Sequence, residues 1–127
     1  LFEKLMKIKV NTIVLLQPTS PFRSMSIYNK TLKIFNKNNL PTITVSKISP
    51  INLKNKIIFS SKKQIKMVKK INNHYFTNGN LYMIRKKDLF KKKTFIPKKF
   101  NISVINSEKY SLDIDTIYDL EKAKSFL

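Results

Sequence analysis

The sequence contains no cysteine and no tryptophan, and one glycine among its 127 residues. Without cysteine, disulfides and thiolate-held metals are excluded, and the chain suits a reducing compartment, with the cytoplasm as the expected location. One glycine cannot build a glycine-rich phosphate loop, which needs several residues free to take positive φ. No apolar run approaches the ~20 residues that cross a bilayer, so no membrane partner is expected. Acidic residues number seven and arginines two. Any site that uses a carboxylate or a guanidinium group must therefore draw on few positions. The opening stretch LFEKLMKIKV has neither the apolar core nor the cleavage site of a signal peptide. Its Leu1, Phe2, Leu5 and Met6 recur at helical spacing, which predicts the end of a helix.

Lysine is what the chain has in excess. It supplies 24 of the 26 cationic residues and most of a formal net charge of +19. Such a charge raises nucleic-acid binding as a reading. Arginine, the residue suited to bidentate contacts with bases and phosphates, is nearly missing. Lys, Asn and Ile share AT-rich codons and are abundant together, so a composition bias explains all three. Nucleic acid is accordingly not an expected partner. With 42% apolar residues the chain can bury one core, as one domain or part of one.

The most informative stretch is Thr12 to Arg23, TIVLLQPTSPFR. Thr12 to Leu16 is a short apolar run, the pattern of a strand buried on both faces in a parallel sheet. Pro18 and Pro21 then fix two φ angles and bias Gln17 and Ser20 away from the helical region, which predicts a rigid, extended loop. In open α/β sheets, ligands bind beyond the carboxyl ends of strands. Gln17, Thr19, Ser20 and Arg23 are thus polar groups held where a ligand is expected.

Beyond the loop, Met25, Tyr28, Leu32 and Phe35 form an apolar stripe on a helix over 25–37, with Ser24 or Ser26 as its cap. Asn38 to Pro41 breaks it, and Thr42 to Val45 is a second strand. Strand, helix and strand in succession is the βαβ pattern of a parallel sheet. Residues 46–70 read as an insertion, with an edge strand over 56–60. Asn78-Gly79 marks a turn that needs positive φ, and Leu81 to Ile84 follows as a strand. A short helix over 86–92 and a strand over 102–105 come next, and Pro97 excludes a helix between them.

The last element is LDIDTIYDL, residues 112–120. Thr116 and Asp119 form a variant capping box that opens a helix. Ile117, Leu120, Ala123 and Leu127 predict its core stripe. Asp113 and Asp115 stand two residues apart in extended chain, so both carboxylates project to one side. That spacing suits a hard divalent cation shared with substrate phosphates. It equally suits one aspartate at a helix N-terminus and one in solvent.

Three segments in order, LLQPTSPFR, YFTNGNLYMI and DIDTIYDLEKA, resemble the CMP-sialic acid synthetases, the acylneuraminate cytidylyltransferases. That family carries LLQPTSPLR, then Y-x-x-N-G-x-x-Y-I, then DIDTPEDLE, at comparable separations. The resemblance covers residues 12–127. It implies an α/β fold, a Rossmann-like three-layer nucleotidyltransferase domain that is incomplete here. Residues 1–127 would be the C-terminal part of one such domain, with its insertion at about 46–70. The implied reaction joins CTP and a nine-carbon acid sugar into a CMP-sugar and pyrophosphate, with Mg²⁺ assisting. Gln17, Thr19, Ser20 and Arg23 match the loop that contacts nucleotide and sugar, and Asn78 and Gly79 match the sugar-pocket segment. Asp113 and Asp115 match the metal-binding carboxylates. A homodimer is a further implication, with the insertion packing on the partner near the sugar.

The departures are specific. The family's Gly-rich basic loop, which cradles the CTP phosphates, has no counterpart in these residues, so the 127 residues alone are expected to be inactive. Before Tyr75, where the family has an R-x-Q-D-x-P-like stretch, this chain reads Lys70-Ile71-Asn72-Asn73-His74, with Lys69 or Lys70 as substitutes for the basic contact. His74, the only histidine, is expected to be a loop residue, and Tyr75 and Tyr82 wall or core aromatics. Two alternatives stay open. One is a non-catalytic basic remnant that binds polyanions or nucleic acid; the other is a nucleotidyltransferase for another sugar.

Overall fold

The computed structural model describes residues 2–47, 58–60, 63–65 and 75–127. Most of the expected insertion, together with Lys69, Lys70 and His74, lies outside the described residues. The order of elements is α1 (Phe2–Met6), β1 (Thr12–Leu15), α2 (Met25–Asn38), β2 (Thr42–Ser46), β3 (Ile58–Ser60), β4 (Lys63–Ile65), β5 (Tyr75–Arg85), α3 (Lys86–Lys92), β6 (Asn101–Ile105), α4 (Glu108–Ser111) and α5 (Ile117–Lys124).

The six strands form one mixed sheet in the order β4-β3-β5-β2-β6, with β1 also paired to β5. β5 runs antiparallel to β1, β2 and β3, whereas β2 and β6 are parallel. The expected βαβ unit is therefore present in direction only. β1 and β2 point the same way, but the antiparallel β5 lies between them.

The expectation that β1 is buried on both faces in a parallel sheet is corrected. Its residues alternate between exposed and half-buried. The exposed face carries Thr12 and Val14, and among the described residues the strand pairs with β5.

α2 starts where the sequence places it. Ser24 accepts from the Ser26 N–H, and Asn39 ends the helix in the left-handed region at φ 54. Its predicted stripe is half right. Phe35 is buried and packs with Leu32, Leu81 and Met83 on one face of the sheet, but Met25 and Tyr28 are exposed. The inward face is centred instead on Thr31 and Phe35, and the Thr31 hydroxyl lies 2.9 Å from that of Ser103 on β6. A buried threonine satisfied by a serine across the interface is invisible to a count of apolar positions. The other face of the sheet buries Ile43, Val45, Tyr82 and Phe100.

β5 is one strand of eleven residues with an interruption inside it. Ile43 faces Tyr82 and Val45 faces Thr77. Thr44 alone therefore lies opposite Asn78, Gly79, Asn80 and Leu81. The Asn-Gly pair is not the turn between elements that the sequence suggests; it is a bulge that throws β5 outward, with Gly79 at φ 68. Thr44 fills the gap, as its hydroxyl accepts from the Leu81 N–H at 2.9 Å and donates to Asn78 Oδ1 at 2.8 Å. The strand expected at an edge, β3, instead lies between β4 and β5.

α5 carries the predicted capping box in full. The core stripe read for it is corrected: Ile117 and Leu127 are 64% and 98% exposed, and of the four residues only Ala123 is buried. The buried face is instead the one that carries Asp119 and Ala123, four residues apart, and Asp119 is satisfied there because its Oδ2 accepts from the N–H groups of Asp115 and Thr116. No described helix is long and apolar enough to cross a membrane.

Candidate active site

Strands β1 and β3 share one edge of β5, since β2 occupies the other. Between them the bulge, Asn78 to Leu81, pairs with neither. The loop after β1 enters this gap. The Gln17 N–H donates to the Gly79 carbonyl at 3.2 Å, and the Ser20 N–H returns to the Gln17 carbonyl at 3.1 Å. The loop is thus a tight turn over Gln17–Ser20 with Pro18 at its second position, not the fully extended segment the two prolines suggest. Proline presets that turn as readily as it presets extended chain.

Ser20 is fully buried, and its hydroxyl lies 2.8 Å from the Asn78 carbonyl and 3.3 Å from Asp113 Oδ1. The Arg23 guanidinium donates to the Gln17 carbonyl and closes the turn from outside. Thr19 is exposed at the tip, but its carbonyl accepts the Ile114 N–H at 2.8 Å, which draws the acidic segment against the loop. Phe22 lies edge-on to Phe126, and the Lys109 ammonium sits 5.0 Å from the Phe22 ring centre. The end of α5 and the turn of α4 thereby clamp the loop from the far side.

The closest convergence is at Gly79. A Cβ there would stand 2.4 Å from Gln17 Oε1, 2.5 Å from Ser20 Oγ and 3.3 Å from Asp113 Oδ1. The loop and the acidic segment thus bring three side-chain oxygens against the same face of Gly79, in space that any side chain there would contest. Asp113 is half-buried here, whereas Asp115 is exposed beside it. Asn78 is buried, and its Oδ1 is held by Thr44 and by the Asn80 N–H. Burial, and secondly the negative charge of Asp113, push the Tyr82 phenol up to about 12, against a smaller opposite pull from the Gly79 backbone. Tyr82 is thus a protonated wall of the site, as expected of a core aromatic.

The structure brings together Gln17, Ser20, Gly79 and Asp113, with Asn78 directly behind them. Thr19, Arg23 and Asp115 lie on the rim. An open cavity of about 260 Å³ adjoins the loop, bordered by Leu16, Arg23, Met25, Tyr28 and Asn80. Sequence reasoning missed Thr44 and Asn80. Neither had a signal in the sequence, since the partners of both lie on other segments and include backbone groups.

The class defined here is an α/β chain with an oxygen-lined site at an internal bulge of its sheet. No family model matches the chain. It is similar to the CMP-N,N'-diacetyllegionaminic acid synthase of Legionella pneumophila, with 30% identity over 125 aligned residues, covering 90% of this chain and 53% of that protein. The chain spans about half the length of the curated relative it matches.

Proposed function

We propose that this chain is the C-terminal part of a nucleotidyltransferase domain that activates a nonulosonic acid with CTP, giving the CMP-sugar and pyrophosphate. The observation that carries the reading is the convergence of Gln17, Ser20 and Asp113 at Gly79, because the three segments it joins are those of the family resemblance. The similarity to a CMP-sugar synthase supports it independently of any single motif.

The anomeric hydroxyl of the sugar attacks the α-phosphorus of CTP, and pyrophosphate leaves. Reactions of this kind are carried mainly by positioning and charge neutralisation. Gln17 and Asn78 orient the sugar, while Thr19, Ser20 and Arg23 shape the loop that faces both substrates. Asp113, half-buried, and the exposed Asp115 offer hard carboxylate oxygens of the kind that suit Mg²⁺. Asp113 and Asp115 would hold it, and it would neutralise phosphate charge as the bond to pyrophosphate breaks. Partners on this reading are CTP, the acid sugar and a second copy of the chain, with action in the cytoplasm.

The test is product identification. Full-length protein is incubated with Mg²⁺, a nonulosonic acid and each nucleoside triphosphate in turn, and the products are read by mass spectrometry. A CMP-sugar formed from CTP alone is expected. Transfer to a different class of sugar, or from a different nucleotide, would overturn the assignment.

A further inference from the structure

We infer that Asn80 is the positioning residue of the site, the group that holds the loop and the acidic segment in register on β5. Asn80 is 3% exposed. Its amide nitrogen has two hydrogens, and both are used: one donates to the Phe22 carbonyl at 2.8 Å and the other to the Tyr110 carbonyl at 3.0 Å. Phe22 ends the loop that begins at Gln17, and Tyr110 lies on α4 shortly before Asp113. A single buried amide therefore ties β5 to both segments that bring oxygens against Gly79.

The chemistry of the side chain matters. Both acceptors are carbonyls, so only a donor with two hydrogens satisfies them together. An aspartate in its place would be nearly isosteric but would set carboxylate oxygen against two carbonyl oxygens. Serine offers one hydrogen on a shorter arm, so it restores at most one tie. Asn80 touches no reacting atom, and its influence passes through Gln17, Ser20 and Asp113. Its contribution to turnover rests on the cytidylyl-transfer reading; its positioning role rests on the hydrogen bonds alone.

The experiment is amide hydrogen exchange on full-length protein, comparing the parent with Asn80→Asp and Asn80→Ser. The reporters are the Gln17 N–H, which bonds Gly79, and the Ile114 N–H, which bonds Thr19. Both are expected to exchange roughly tenfold faster or more in Asn80→Asp, with a smaller gain in Asn80→Ser, while Ile43 and Val45 in β2 are unchanged. In the same proteins kcat for CMP-sugar formation is expected to fall in the same order. Uniform acceleration that includes β2 would make Asn80 a core-stability residue and overturn the inference. So would unaltered exchange at Gln17 and Ile114 in both variants. Faster exchange at those two amides in a protein whose parent makes no CMP-sugar supports the positioning role and removes only the functional reading.

Discussion

Gly79 and Ser20 are packed so closely that a Cβ on the glycine would stand 2.5 Å from the serine hydroxyl oxygen. Ser20 is buried and bonded to the Asn78 carbonyl, so it has no room to retreat. Gly79→Ala must therefore displace the turn as well as strain a backbone at φ 68. The substitution is expected to cost roughly 1–3 kcal/mol in urea unfolding and to lower activity further than the stability loss explains. A variant as stable and as active as the parent would show that the loop and the bulge are not in contact.

Thr44 supports the same bulge from the other side. In Thr44→Val the Leu81 N–H and Asn78 Oδ1 lose a buried partner while the volume is kept. A loss of roughly 1–3 kcal/mol is expected by chemical denaturation, with Thr44→Ser recovering most of it. Equal losses in the two variants would assign the effect to the methyl group and its packing.

Tyr82 gives a pH signature. Its phenol is raised from 10.0 to about 12 in the folded chain. A raised value favours the protonated form, so this stabilisation is complete below pH 10 and is lost as pH rises through about 12. The gap corresponds to roughly 3 kcal/mol. Ultraviolet titration is expected to show Tyr82 as a late-titrating tyrosine, and alkaline unfolding is expected to begin above about pH 10. Asp113→Asn removes the second cause of the rise, so the late tyrosine should move down. An unmoved titration would mean that Asp113 does not face Tyr82.

Much of this arrangement was legible in the residues. Ser24 and the pair Thr116 and Asp119 announced helix starts because capping is local chemistry, and Asn38 to Pro41 announced a helix end. The positive φ of Gly79 was legible for the same reason. Its setting was not: a turn and a bulge both want Asn-Gly, and only the pairing of Thr44 against a longer stretch of β5 decides between them. The phase of α5 was missed because an apolar count passes over Asp119, a carboxylate that is buried once its cap bonds satisfy it. Of the candidate site, Gln17 and Ser20 were singled out by loop chemistry, and Gly79 and Asp113 as site members by the family resemblance; the structure packs the four together. Asn80 was not singled out, since its partners are backbone carbonyls that a sequence does not display.

The decisive experiment is pyrophosphate release by the full-length protein with CTP, Mg²⁺ and a nonulosonic acid, in the parent and in Asp113→Asn. Release is expected to require all three components and to fall roughly a hundredfold or more in the variant, with the fold retained. Release that is unchanged in Asp113→Asn would contradict the proposed function, because the oxygens gathered at Gly79 would then have no part in the chemistry.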